Sequence, residues 1–375
     1  ARAQAVYCED QMVSESTGDG KPNSPEGKQP GFSERPQVEF SGQDDERDFG
    51  SGREHAAKPT NDGFDGFVPS IPATATFTAE EAQSREGNYV LSLGLGGSGK
   101  STFHSFLLRF IEQSGKLNYE MRIPRLKSGE EDGQTRNLLN QWRSSWSRGE
   151  FVLPTAATEN AIREIKYKVV PNRGMKIPLE FGLIEVSGEL LRQVQGGRTG
   201  RQTLPEAVHH LIANPRVKLT VLMMVHPDTP SNDILLANFI DYISQKFPGR
   251  LRQISLGVVI ANPDRALAQL IATTGGESKS PFAHYQRLED DAIIDYMKTM
   301  SPGIWSQWQS WPEKNRMITP LRLGDIQLDT SADGAPVPRL VSPDFTHIEK
   351  IFLWLFEKFT GRRPGPTLWD RLKGS

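Results

Sequence analysis

One run of eight residues constrains this chain more than any other: Gly94-Leu95-Gly96-Gly97-Ser98-Gly99-Lys100-Ser101. It fits G-x-x-x-x-G-K-[ST], the phosphate-binding loop or Walker A pattern, without a mismatch. Glycine takes positive φ at little cost. The backbone N–H groups of Gly94, Gly96, Gly97, Ser98 and Gly99 can therefore turn inward as a nest of donors that fits a phosphate chain. Lys100 places a point charge between β- and γ-phosphates, and Ser101 offers its hydroxyl to Mg²⁺. Thr102 opens a helix whose N-terminal dipole also favours anions. Such a loop belongs between a strand and a helix, and the flanks supply both. Residues 89–93 read as a short buried strand. Phe103, Phe106, Leu107, Phe110 and Ile111 fall on one face of a helix. The alternative is a glycine-rich loop that holds no ligand.

The rest of the pattern is also α/β. Expected strands cover residues 117–124, 162–170, 177–186, 217–225, 254–261 and 316–323, the last of these closing the series. The 162–170 and 177–186 runs, joined by Pro-Asn-Arg-Gly, form an expected antiparallel pair. The continuous apolar run at 217–225 suits a strand buried on both faces. Expected helices cover 135–146, 205–213, 231–247, a segment from Pro263 onward, one near 290–300, and an amphipathic one at 345–359. Thr78-Ala79-Glu80-Glu81 is a capping-box pattern. The fold class that follows is a P-loop NTPase: α/β, with a doubly wound, mostly parallel sheet and one antiparallel strand pair.

Charge and composition divide the 375 residues. Residues 1–66 hold 14 Asp and Glu against 7 Lys and Arg, a balance of −7. They are rich in Gly, Ser, Pro and Gln and read as a disordered acidic tail that cannot bury enough surface to offset chain entropy. Residues 67–87 are a lead-in, 88–362 the folded domain with an irregular insert at 274–315, and 363–375 a C-terminal tail. The chain as a whole carries −2, which leaves +5 beyond residue 66. That mild excess gives no direct support for a nucleic-acid partner. The single cysteine, Cys8, excludes an intramolecular disulfide and any multi-cysteine metal site. No apolar run approaches the roughly 20 residues of a membrane span, and a cytoplasmic setting is expected. The chain begins at Ala1 without Met, so a removed N-terminal segment stays open.

Three strand ends carry the candidate chemistry, because open α/β sheets bind ligands at the carboxyl edge of their strands. The first reads Glu185-Val186-Ser187-Gly188-Glu189: an acid able to serve Mg²⁺, and three residues on a glycine whose N–H can reach a γ-phosphate. The second is Val225-His226-Pro227-Asp228. The third is Ala261-Asn262-Pro263-Asp264, where a carboxylate can accept both N–H groups of guanine's Watson–Crick edge. Asp264 can equally cap the helix it opens. His209 and His210 read as a helix face rather than a metal pair. Trp305, Trp308 and Trp311 recur at i, i+3, i+6 and read first as packing, with a partner surface as the alternative.

The order of these motifs resembles the TRAFAC class of P-loop GTPases, and within it the bacterial double-GTPase domains, whose second switch often reads D-x-S-G-E. The resemblance covers roughly residues 86–330. It implies that Lys100 and Ser101 bind phosphate and Mg²⁺, and that Thr155 or Thr158 is the switch threonine closing on the metal. It further implies that Glu185 is the metal-shell acid, Gly188 the γ-phosphate sensor and Asp264 the guanine reader. Glu189 stands where many GTPases keep a water-positioning glutamine. The chain departs from the pattern in carrying Glu rather than Asp at 185, an anion at 189, and Asn262 where a lysine usually packs on the purine. Residues 318–324 match the final base-contacting motif only loosely.

The expected activity is therefore a GTP/GDP switch with Mg²⁺ and slow intrinsic hydrolysis. Arg192, Arg198 and Arg201 are weak candidates for a cis arginine. A P-loop ATPase or kinase, and a nucleotide-sensing scaffold with little turnover, are the alternatives. A protein partner or homodimer is implied by the resemblance alone.

Overall fold

The computed structural model describes residues 77–113, 119–125, 129, 131–152, 162–171, 177–188, 204–229, 231–273, 280–330 and 336–362, with residues 231 and 232 described by backbone only. The expected acidic tail 1–66, the C-terminal tail 363–375, Thr155, Thr158, Glu189, Arg192, Arg198 and Arg201 lie outside the described residues.

The chain enters through α1 (Ala79–Ser84), closed by the expected capping box: Thr78 Oγ1 accepts from Glu81 N and the Glu81 carboxylate accepts from Thr78 N. Such a cap contributes about 1 kcal/mol. β1 (Gly87–Leu93) leads through the glycine-rich loop into α2 (Lys100–Gln113). β2 (Tyr119–Arg122), α3 (Gly133–Ser147), β3 (Ile162–Pro171) and β4 (Leu179–Val186) follow. Then come α4 (Glu206–Ala213), β5 (Val217–Val225), α5 (Ser231–Lys246), β6 (Ser255–Ala261) and α6 (Pro263–Ala272). Last are α7 (Asp291–Met300), α8 (Pro302–Ser310), β7 (Arg316–Leu321), β8 (Gly324–Thr330), β9 (Pro336–Pro343) and α9 (Thr346–Thr360).

Seven strands form one sheet in the order β2-β3-β4-β1-β5-β6-β7. The β4-β1-β5-β6-β7 stretch is parallel, and β3 runs antiparallel to both β2 and β4. Helices cover both faces. Side chains of α2, α3 and α9 pack against Val90, Tyr167, Phe181, Leu222 and Val259 on one side. Side chains of α1 and α4 to α8 pack against Leu91, Ile184, Val221, Met223 and Val258 on the other. Burial on both faces is why β5 and β6 read as unbroken apolar runs rather than alternating ones.

Three expectations change. β7 is the last strand of the central sheet but not of the chain: β8 and β9 pair antiparallel as a separate two-stranded sheet. Every residue of β8 after Gly324 is exposed, so no buried apolar face marks it in sequence. Antiparallel pairing also extends beyond the one pair, since β2 adds to β3. The segment expected as an irregular insert contains α7 and α8, which cross from β6 to β7. The tryptophans there are packing residues. Trp308 Nε1 donates to Met317 O at 3.0 Å, and buried Trp311 Nε1 donates to Ile254 O at 3.0 Å, pinning the end of α8 to the sheet. No helix among the described residues is long and apolar enough to cross a membrane.

Candidate functional site

The site forms where the carboxyl ends of β1 and β4 lie side by side. Because Ser92 pairs with Glu185 in the parallel register, the end of β4 is carried to the foot of the glycine-rich loop. The loop uses its glycines as the sequence requires: Gly97 and Gly99 have φ of 78° and 87°, in the left-handed region that side chains disfavour. α2 starts two residues earlier than expected, at Lys100, so Ser101 and Thr102 lie in its first turn.

Ser101 Oγ donates to Glu185 Oε1 at 2.7 Å. A hydroxyl that donates in this way offers its remaining lone pairs as acceptors. The Glu185 side chain is long enough to reach that hydroxyl directly from the end of β4. Gly188 closes the other side. A Cβ there would stand 2.4 Å from Gly96 N and 2.7 Å from the Leu95 carbonyl carbon, so only glycine lets this strand end approach the loop backbone. Lys100 is buried, and its ammonium donates to Gly94 O at 2.7 Å and Leu95 O at 3.1 Å. Burial pulls its pKa down, and the Glu185 charge works against that shift. The residue set fits a magnesium ion that shares its coordination with phosphate. Mg²⁺ sites of that kind use one or two protein oxygens and leave the rest to phosphates and water.

Two polar residues join the site that sequence reading missed. His104, one turn after Lys100 on α2, is fully buried, with Nε2 2.7 Å from Ser92 Oγ. Arg163 on β3 is the cross-strand partner of Glu185. The register was available in principle, because a hairpin centred on position 174 brings 163 opposite 185. The glycine-rich loop drew attention to strand ends following it, not to the strand beside them.

Burial pushes the His104 pKa down to about 4; Glu185 opposes the shift, while Lys100 and Arg163 reinforce it. The ring is neutral in the folded protein where the unfolded chain already binds a proton, near 6.5. Its contribution to stability is thus complete above about pH 6.5 and is lost as pH falls from there toward 4. The expected loss between pH 7 and pH 5 is about 2 kcal/mol. Urea denaturation at both pH values checks it: His104→Gln should remove most of that difference, and an unchanged difference would place its source elsewhere.

The base-binding end is less closed. Asn262, not Asp264, is the N-cap position of α6, and it adopts φ 49°, ψ 59° with no side-chain cap bond. This corrects the helix-cap alternative for Asp264, which occupies the first turn. The Asp264 carboxylate is 74% exposed and lies 3.7 Å from the Arg322 guanidinium beyond β7. Asn262 Nδ2 lies 3.0 Å from His226 Nε2 at the end of β5, and Arg265 pairs with Asp228 at 2.6 Å. Ala261 is the side chain nearest Gly99, 3.9 Å from where its Cβ would be, so the β6 end borders the loop. His209 packs against α5 and the residue that follows it: its Nδ1 lies 2.9 Å from Tyr242 OH and its ring packs edge-on to Phe247.

The structure thus brings together the loop residues 94–102, Glu185 and Gly188, with Asp264 at the same sheet edge two strands away. No protein-family model matches the chain, and a search of the curated proteins found no match.

Proposed function

We propose that the chain is a GTP-binding, GTP-hydrolysing molecular switch on a P-loop NTPase fold, using Mg²⁺. The observation that carries this reading is the 2.7 Å contact from Ser101 to Glu185 beneath a glycine-rich loop on which Gly188 packs. A strand-end carboxylate aimed at the hydroxyl that follows the loop lysine has a direct use if that hydroxyl ligates a metal. The loop N–H groups and the α2 N-terminus cradle the phosphates. Lys100 leaves the Gly94 and Leu95 carbonyls to neutralise them. Gly188, packed on the loop backbone, is the residue whose N–H would sense a terminal phosphate. Mg²⁺, when bound, would supply charge neutralisation to the phosphates, and Ser101 and Glu185 are the residues that would hold it. Glu189 and Thr155 or Thr158 keep the roles that the resemblance implies, water positioning and metal closure.

Guanine selectivity rests on Asp264, which stands in the first turn after β6 and meets the base edge if the phosphates lie on the loop. A second reading, ATP binding by a P-loop ATPase or kinase, is favoured by the Arg322 guanidinium beside that carboxylate, since it competes for the oxygens guanine would need. Titration of the full chain with GTP, GDP and ATP in Mg²⁺ separates the two. Guanine nucleotides should bind at least about tenfold tighter, a difference of about 1.4 kcal/mol, and Asp264→Ala should erase the gap. ATP binding equal to GTP in the wild type would favour the second reading. A protein partner or second copy, and a cytoplasmic setting, belong to the same proposal; nothing in the charge distribution adds a nucleic acid.

A further inference from the structure

The register of the sheet lays three polar residues in one row beneath the start of α2. Glu185 sits in the middle, with Ser92 of β1 on one side and Arg163 of β3 on the other. Above the row, Ser101 donates to Glu185 and His104 meets Ser92. Glu185 is only 7% exposed, and a carboxylate so placed needs compensating charge. Among the described residues, Lys100 and Arg163 stand near it. Lys100 is engaged by the Gly94 and Leu95 carbonyls, and in the proposed function it turns to phosphate. Arg163 belongs to a strand of the sheet core and stays where the register puts it.

We propose that Arg163 is the resident counter-cation of Glu185, holding the carboxylate in place without metal and thereby weakening the coupling between Mg²⁺ and nucleotide binding. This rests on the nucleotide-site reading above and adds the regulation of that site. The physical reason is additive charge. A metal entering beside Glu185 brings two positive charges to a carboxylate that already faces one, and like charges in a water-poor site repel strongly. The guanidinium also contributes to the positive field that attracts a triphosphate, so part of the metal's service is built into the fold. The same charge balance shows in Arg163 itself: burial pulls its pKa down and Glu185 pushes it back up.

The experiment measures the affinity of a fluorescent GTP analogue for the full chain, in excess Mg²⁺ and in EDTA, for wild type, Arg163→Met, Arg163→Gln and Arg163→Lys. The ratio of the two affinities is the metal–nucleotide coupling, which by linkage is also the effect of nucleotide on metal affinity. Neutral variants should bind several-fold more weakly in EDTA and raise the ratio at least about fivefold, at the lower end of usual couplings. Arg163→Lys, which keeps the charge, should stay near wild type. An unchanged or smaller ratio in both neutral variants would overturn the proposal. A purely structural role would lower both affinities together and leave the ratio alone, which also counts against it.

Thermal melts of the nucleotide-free protein test the same pairing independently. Arg163→Gln should lower the Tm clearly in the wild-type background and much less in Glu185→Gln, where the charge it balances is gone. Equal losses in both backgrounds would sink the counter-cation idea. If wild type binds no nucleotide in either condition, the nucleotide reading fails, and the melts still decide the role of Arg163.

Discussion

Lys100→Ala is expected to lower affinity for a nucleoside triphosphate by at least about a hundredfold, or about 3 kcal/mol, while changing the stability of the nucleotide-free protein little. The two halves of this expectation come from the same burial. The ammonium is held by two loop carbonyls, at 2.7 and 3.1 Å, and is desolvated enough to depress its pKa. A buried cation with carbonyl partners gives back in hydrogen bonds much of what it loses in solvation. Removing it therefore costs and relieves in similar measure. A triphosphate changes the balance, because the charge then meets several anionic oxygens at close range. Isothermal titration and thermal denaturation of wild type and variant provide both numbers. Retention of affinity within tenfold would show that Lys100 does not address phosphate, and the proposed function would fall with it.

Gly188→Ala should do damage of a different kind. Its Cβ would meet Gly96 N at 2.4 Å, the Leu95 carbonyl carbon at 2.7 Å and Leu95 Cα at 2.8 Å. All three are backbone atoms, so no side chain can rotate aside. Either the loop or the end of β4 has to move, and overpacking of this sort costs about 1–3 kcal/mol. The proposed site depends on the approach that would be lost. Triphosphate affinity should fall at least about tenfold, with a lower Tm in the absence of ligand. Gly96→Ala is the matched control, since a Cβ at Gly96 meets nothing within 4 Å, and its nucleotide-free Tm should equal wild type. A Gly188→Ala protein with wild-type Tm and affinity would show that loop and strand end part easily, and would remove Gly188 from the site.

Both variants act on positions legible in the sequence. Glycine spacing before Lys100 and Ser101 marked the loop, because no other residue types make a turn of inward N–H groups followed by a helix. The apolar runs at β5 and β6 were legible for an equally local reason: strands buried on both faces have no polar alternation to interrupt them. Glu185 and Gly188 were found as the end of such a strand. The capping box before α1 and the helical spacing in α9 also depend on neighbours within one turn.

What stayed hidden depends on distance along the chain or on weak burial. The β8–β9 hairpin has too little apolar surface inward to write a period into its sequence, and α8, unlike the expected α7, reveals its order only by its packing against the sheet. Asp264 was placed correctly at a strand end, but the Arg322 guanidinium beside it comes from 58 residues on. The left-handed conformation of Asn262, which takes the N-cap position from Asp264, is a backbone fact that no propensity announces.

By itself, then, the sequence determined that this chain has a glycine-rich loop between a strand and a helix, within an alternating α/β pattern. Local stereochemistry is enough for that. The tertiary structure decided which groups share the site: that Glu185 reaches Ser101, that Gly188 touches the loop backbone, and that Arg163 and His104 complete a buried polar row. Those contacts follow from strand register, and register is set by the summed packing of two helical layers on one sheet rather than by any residue's own preference.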